Sequence, residues 1–312
     1  LGSAVNGIHH ITVLASDPQQ NLLFYTRVLG LRLVKRTVNF DAPDVYHLYY
    51  GDESGAPGTL VTFFPFPDAA PGMRGSGEIS AISFAVPKDS IGFWAEHLSA
   101  SGLSFDGPTL RFGASVIGFT DPDALRIELL FNDVSSASSH WSGSRIPAEH
   151  AIRKLYGATL MSHSQSATDG LLRETLGFRP EGEEGGRSRY SSGFGTGESW
   201  IDLIDGSGQP RARQSAGSVH HIAWRVPNED EQNGWREAIS RAGLYVTPVR
   251  DRKYFHSIYF REPGGILFEI ATDGPGFAID EPEADLGSHL QLPPWLEPER
   301  SKLERSLPQL TF

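Results

Sequence analysis

The chain contains no cysteine. That excludes disulfides, thiolate metal ligands and a cysteine nucleophile, and it fits a cytoplasmic location. Long apolar runs are also missing. None reaches the roughly 18–20 residues that a membrane helix needs, and no secretory signal opens the sequence. Nor is there an excess of basic residues: the formal net charge is -11. This balance favours solubility and argues against a nucleic-acid surface. Nucleic acid and membrane are therefore set aside as partners.

What the chain does have is repetition. At 312 residues it is too long for one ordinary core and suits two domains or several small units. Gly77–Pro87 aligns with Gly217–Pro227, sharing the opening glycine, an apolar alternation and a Val-Pro ending. Phe119–Leu129 matches Phe260–Ile270 without a gap, and Glu128 falls on Glu269. Internal repeats of this kind decide an architecture before any single motif does.

Four segments carry a strand-like run, then a helical stretch ending at a glycine followed by a large apolar residue. Those endings are Gly30-Leu31, Gly102-Leu103, Gly177-Phe178 and Gly243-Leu244. Glycine just past a helix end relieves the left-handed backbone conformation found there. The predicted helices cover 17–28, 90–101, 167–175 and 229–241, each followed by β-rich runs separated by turn residues. The predicted fold is α+β, with four βαβββ modules at roughly 6–70, 77–133, 155–206 and 217–273. They would form two paired-module, curved-sheet half-barrel domains. Along the chain the division is 1–133, a Ser-rich linker at 134–154, 155–273, and a Pro-interrupted tail at 274–312 expected to pack on the surface.

A His-His pair occurs twice at the head of such a strand, as His9-His10 and His220-His221. Strict alternation puts His220 with Ile222, Trp224 and Val226 on the helix-packed face, and His9 with Ile11 and Val13. The second histidine of each pair, His10 and His221, then falls on the less apolar, concave face. Glu269 interrupts the apolar run 266–271, where a lone buried carboxylate is costly without a cation or donors. Two imidazoles and one carboxylate form a facial triad, the ligand set of non-haem Fe(II) oxygen chemistry; Mn(II), Zn(II) or Ni(II) could occupy it too. A lone strand histidine is more often structural than a ligand, and the repeated pair with Glu269 outweighs that reading. Module two carries Ser80 and Ala81 in place of the pair, and module three has Thr159 and Leu160 near that position. One metal site built by modules one and four is expected, with a lapsed counterpart between two and three. The persistence of Glu128 there points to a structural use for that position. His256 shares no face with Tyr259 and reads as structural or surface.

These residues bring out a resemblance. The chain resembles the vicinal oxygen chelate superfamily of glyoxalases, bleomycin resistance proteins and dioxygenases. Within it, the chain is most similar to bacterial hydroquinone ring-cleaving dioxygenases. The likeness rests on the segments 8–12, 46–50, 57–59, 146–151, 219–221 and 261–269. It implies metal ligands at His10, His221 and Glu269, the same choice the strand faces give. It implies further site residues at His9, Thr12, His220, Arg252 and Tyr259. Tyr259, ten positions before Glu269, matches the acid/base tyrosine of extradiol dioxygenases, and Gly118 replaces it in module two. Arg252 has a module-two counterpart, Arg111, so a structural role for it weighs as much as a catalytic one.

The resemblance further implies a small aromatic substrate and O₂ as partners; a homo-oligomer is compatible with it. In that chemistry His220 serves as base or acid near the oxygen, Tyr259 donates a proton, and His9 and Arg252 orient the substrate. Two other classes share the fold. A glyoxalase-type metal-dependent lyase or isomerase often uses a fourth protein ligand as base, and the run 59–64 offers no carboxylate or imidazole for it. A non-catalytic aromatic-binding protein would not require the three ligands together.

Overall fold

The computed structural model describes residues 4–134, 140–193 and 198–312. The Ser-rich run at 135–139, expected to open the linker, lies outside the described residues. Each repeat folds as the patterning predicts. Module one holds strands β1 (Ile8–Ala15), β2 (Arg32–Asn39), β3 (Ala42–Gly51) and β4 (Leu60–Pro65), with helix α1 (Pro18–Leu23) after the first. Module two holds β5 (Glu78–Pro87), α2 (Ile91–Ala100), β6 (Asp106–Arg111), β7 (Ala114–Thr120) and β8 (Arg126–Asn132). Module three holds β9 (Lys154–Ser162), α3 (Gln165–Gly170), β10 (Arg179–Glu184), β11 (Arg187–Ser192) and β12 (Ser199–Asp205). Module four holds β13 (Val219–Val226), α4 (Glu229–Arg241), β14 (Arg250–Asp251), β15 (Phe255–Arg261) and β16 (Leu267–Pro275).

Local chemistry fixes the helix ends. Asp17 accepts from the amides of Gln19 and Gln20 ahead of Pro18, and Asn228 caps α4 by accepting from Glu231. All four closing glycines have left-handed φ, between 71° and 85°. In modules two and four the next residue closes a Schellman bond, Leu103 N–H to Leu98 C=O and Leu244 N–H to Ile239 C=O. In modules one and three the helix finishes in a π-helical turn, Phe24–Val28 and Leu171–Thr175. There the closing bond reaches one residue further back, Leu31 to Tyr25 and Phe178 to Leu172.

The modules assemble into two eight-stranded curved sheets. The first runs β14-β15-β16-β13-β1-β4-β3-β2 and the second β10-β11-β12-β9-β5-β8-β7-β6. Module one therefore pairs with module four, and module two with module three. Each sheet takes one module from each half of the chain, so the division at 134–154 separates modules in sequence without separating the sheets. In both sheets the first strands of two modules join antiparallel, β1 to β13 and β5 to β9. That pairing covers a strand edge each module alone would leave open. The connectors cross side by side, bridging Pro71 to Ala216, Met73 to Arg213 and Ser76 to Arg211. Among the described residues no helix is long and apolar enough to cross a membrane.

The tail does more than lie on the surface. Phe277 and Leu286 are buried with Val34, Tyr49, Tyr254 and Phe255 in a cluster beneath the first sheet's concave face. The fully buried Lys35 ammonium donates to Asp280 and Glu281, both at 2.7 Å. A buried lysine is tolerable only with such pairing.

Candidate metal centre and its cavity

Adjacent central strands of the first sheet bring the three expected ligands together. His10 stands on β1, His221 on β13 and Glu269 on β16, and all three side chains are buried. Their ligand atoms lie within 4.8 Å of one another. His10 Nε2 is 3.5 Å and His221 Nε2 is 2.8 Å from Glu269 Oε2, and the two nitrogens are 3.3 Å apart. Three donors about 2.1 Å from one ion stand about 3 Å apart when they are cis. The other carboxylate oxygen, Oε1, accepts from Ser257 Oγ at 2.5 Å. Buried Oε2 has no hydrogen-bond donor of good geometry among the described residues. A divalent ion among the three atoms would satisfy that oxygen and both imidazoles, so these residues fit the metal that their chemistry implies.

Two β-bulges set the remaining histidines. Along the β1–β13 ladder Ile8 faces Trp224 and His10 faces Ala223, which leaves His9 as the extra residue. Thr12 faces His221 and Val13 faces Val219, which leaves His220 extra on the other strand. A bulge breaks the two-residue alternation and re-aims a side chain. The expectation that His220 sits under the helix is therefore corrected: it lines the cavity in front of the metal site. His9 remains buried behind His10. Each first histidine meets its neighbour nitrogen to nitrogen. His9 Nδ1 is 2.9 Å from His10 Nδ1, and His220 Nδ1 is 2.7 Å from His221 Nδ1. If the ligand nitrogens are Nε2, each ligand's Nδ1–H donates to the adjacent ring. Such contacts fix the tautomer and orientation of a metal-binding imidazole.

Tyr259, on β15, pairs with Glu269 across the strand boundary and meets His221 edge to face at 5.8 Å. Arg252 Nε donates to the Tyr259 hydroxyl at 3.1 Å, and its Nη1 reaches Asp41 on the β2–β3 turn at 3.1 Å. Thr12 Oγ1 is 2.8 Å from Thr62 Oγ1 on β4. His256 lies on the other strand face, against Glu229 at 2.7 Å. A cavity of about 450 Å³ opens in front of the ligands, within the roughly 300–1,000 Å³ of small-molecule sites. Leu14, Phe40, Phe64, Phe66 and Leu267 form its apolar wall.

The second sheet shows what fills the site where the histidine ligands have lapsed. By register, Ala81 stands at the position of His221 and Gly157 at that of His10. The expected module-three equivalents, Thr159 and Leu160, are corrected to Tyr156 and Gly157, because Tyr156 is the bulge residue there. Glu128 persists and is gripped by Arg111 through two bonds at 2.6 and 2.8 Å, with Ser83 donating at 3.1 Å. A guanidinium thus takes the place of a cation, while the equivalent Arg252 turns to Tyr259.

Charge follows burial and these contacts. Burial opposes ionisation of Glu269, but the His10 and His221 rings outweigh it and hold the carboxyl well below its usual range. Burial lowers His221 against the pull of Glu269. Burial, reinforced by His10, lowers His9, and burial with His10 and His221 lowers His47. Burial and His221 bring His220 down to about 3. Tyr259 is raised by burial and by Glu269. The folded protein therefore keeps His9, His47 and His220 neutral, whereas the unfolded chain protonates them as pH falls below about 6.5. The unfolded state then binds more protons. The stabilisation is full above pH 6.5 and fades toward the lower folded values, by roughly 1.4 kcal/mol per pH unit for each such histidine. The urea midpoint of the metal-free protein should fall steadily from pH 6.5 to 4.5. A level midpoint would contradict neutral buried rings.

His47, Tyr49, Thr62, Ser257 and the aromatic wall are site components that sequence reasoning did not assign. Segment 46–50 entered only as part of the resemblance; the shared strand face of His47-x-Tyr49 acquires meaning once the register is known.

Paired βαβββ modules, curved sheets and a His-His-Glu cluster define a class of metal-dependent proteins. The sequence model of the Glyoxalase/Bleomycin resistance protein/Dioxygenase superfamily matches residues 7–129 and 171–270, and the chain belongs to that superfamily. It is 44% identical over 303 residues to MhqO of Bacillus subtilis, named as a candidate ring-cleaving dioxygenase, covering 96% of this chain and 95% of that one. It is 36% identical over 315 residues to the chlorohydroquinone/hydroquinone 1,2-dioxygenase of Sphingobium indicum, covering 98% and 97%. A crystal structure of a candidate dioxygenase from Bacillus subtilis superposes with a TM-score of 0.94 at 43% identity, covering 99% of this chain and 98% of that one. Glyoxalase I from Zea mays shares the fold, with a TM-score of 0.63 at 12% identity over 86% of this chain and 92% of that one.

Proposed function

We propose that the protein is a non-haem Fe(II)-dependent, extradiol-type dioxygenase that opens the ring of a hydroquinone-type diol with O₂. One observation carries the reading. A His-His-Glu cluster whose carboxylate oxygen is orphaned among the described residues faces an aromatic-lined cavity beside Tyr259. The names of the full-length relatives support it.

His10, His221 and Glu269 would hold the ion. When bound, it supplies positive charge that favours the ionised phenol and a path for electrons from ring to oxygen. The protein's own groups do the rest. The apolar wall holds the ring and excludes water. Tyr259 keeps its proton at neutral pH, and Arg252 occupies its oxygen as donor, so the phenolic hydrogen is free to turn toward the reacting atoms. His220, neutral and at the cavity wall, accepts from His221 at Nδ1 and so turns its own Nε2–H outward as a hydrogen-bond donor while it orients His221. His9 holds the His10 ring from behind. Thr12 lies between His10 and Leu14 along β1, opposite His221. Both atoms of O₂ enter the product, an open-chain semialdehyde acid, or an acyl halide where the ring carries a halogen.

The test is anaerobic reconstitution with Fe(II), followed by oxygen uptake over a panel of hydroquinones and catechols. About one iron per chain is expected, from the single intact triad, with one O₂ consumed per hydroquinone. One iron per chain and no uptake across the panel would sink the reading.

A further inference from the structure

A buried hydrogen-bond chain approaches the metal site from the side opposite Tyr259. Tyr49 Oη lies 2.8 Å from His47 Nδ1, His47 Nε2 lies 3.0 Å from Thr62 Oγ1, and Thr62 Oγ1 lies 2.8 Å from Thr12 Oγ1. Rings pack His47 in place: Tyr49 at 3.9 Å and Phe64 at 4.2 Å between centroids. Nothing in the proposed chemistry uses His47 or Tyr49.

The direction of this chain can be deduced. Tyr49 is buried, and His47 Nδ1 is its hydrogen-bond partner among the described residues. A buried phenol that accepted there would leave its own hydrogen unsatisfied, which is costly. Tyr49 therefore donates to Nδ1. A neutral His47 must then carry its proton on Nε2 and donate it to Thr62. Between the two threonines either hydroxyl could donate; a hydrogen left over on Thr62 would meet no acceptor among the described residues, whereas one left over on Thr12 can meet an oxygen bound at the ligand cluster, so the geometry favours Thr62 donating to Thr12. The hydrogen of Thr12 is left free on the strand face that carries His10.

The second sheet provides an internal comparison. By register, the positions of His47, Tyr49, Thr62 and Thr12 there hold Arg187, Arg189, Asp202 and Thr159. Arg189 grips Asp202 at 2.7 and 2.9 Å, and Arg187 donates to Thr159 at 3.1 Å. Fixed charges fill the positions where the ligands have lapsed. A neutral, oriented chain goes with the intact triad.

We propose that His47 is a positioning residue: held in its Nε2–H form by Tyr49, it makes Thr12 a hydrogen-bond donor toward an oxygen atom bound at the His10–His221–Glu269 cluster. The inference rests on the proposed oxygen chemistry for what Thr12 meets, and on the hydrogen-bond geometry alone for the tautomer.

Two measurements decide it. In the full-length protein loaded with diamagnetic Zn(II), long-range ¹H–¹⁵N NMR should show His47 protonated at Nε2 at pH 7; protonation at Nδ1 overturns the proposal. In the iron-loaded enzyme, His47→Phe keeps the ring packing and removes both nitrogens. It should lower kcat by about 10- to 100-fold with iron content unchanged, and KM should move by less than about twofold. Thr12→Val should cost about as much, and the double variant no more than either, because both break one chain. His47→Gln can accept from Tyr49 and donate to Thr62, and should recover most of the loss. Losses that multiply in the double variant, or no recovery with Gln, overturn the proposal. If the unaltered enzyme consumes no O₂ with any hydroquinone, ring cleavage fails as a reading, and the NMR result alone decides the tautomer.

Discussion

Replacing His221 with Ala is expected to yield a folded protein that binds essentially no iron and loses hydroquinone-dependent oxygen uptake by at least about a thousandfold, the scale for removing an indispensable group. The reason lies in the cluster's construction. Its three ligands come from two modules far apart in sequence, and His221 Nε2 is the nitrogen nearest the orphaned Glu269 oxygen, at 2.8 Å. With two ligands left, the site loses the facial arrangement that defines its metal chemistry. The second sheet shows the same replacement already made, since Ala81 occupies the equivalent position. There Arg111 compensates Glu128. No such rescue awaits Glu269, because Arg252 is committed to Tyr259 and Asp41. Iron per chain and an oxygen electrode provide the readouts, with circular dichroism to establish folding. A variant that keeps one iron would remove His221 from the ligand set.

Much of this architecture was written in periodicities. The glycine endings marked all four helices because a left-handed residue after a helix leaves few alternatives to glycine. The two gap-free matches exposed the repeat, and the repeat with its lapsed histidines pointed to modules one and four sharing a site. Alternation picked out His10 and His221, whose neighbours toward the C-terminal end of each strand keep the regular register, and the interruption of an apolar run picked out Glu269.

The illegible parts depend on register. Alternation misplaced His220 because a bulge adds one residue to the strand without any local mark in composition. A linear division at 134–154 hides the module pairing, which only the lapsed histidines of modules two and three made legible. His47 and Thr62 become partners only after β3 and β4 are aligned, and Ser257 reaches Glu269 only across β15 and β16. The tail was expected to pack on the surface, and its half-buried Asp280 and buried Glu281 could not be matched in sequence to their partner Lys35, which lies in another module. Each omission involves two segments that only folding makes adjacent.

Tyr259→Phe is expected to leave iron content and KM nearly unchanged while kcat falls by about 10²- to 10⁴-fold, the usual worth of a positioned proton donor. Phenylalanine preserves the ring that meets His221 edge to face at 5.8 Å, so ligand packing should survive. What disappears is one hydroxyl. In the native site that hydroxyl stays protonated because burial and the Glu269 charge both disfavour the phenolate. Arg252 donates into its oxygen, which frees the hydrogen for another acceptor. At the matching place in the second sheet stands Gly118, where the Arg126 side chain fills the space a side chain would take. The hydroxyl therefore accompanies the intact ligand set and is absent where the ligands have lapsed, which a purely packing role would not require. Steady-state oxygen uptake with the best hydroquinone, compared at equal iron loading, measures the effect. A loss smaller than about threefold would reassign the proton to another group, with His220 one neutral alternative at the cavity wall.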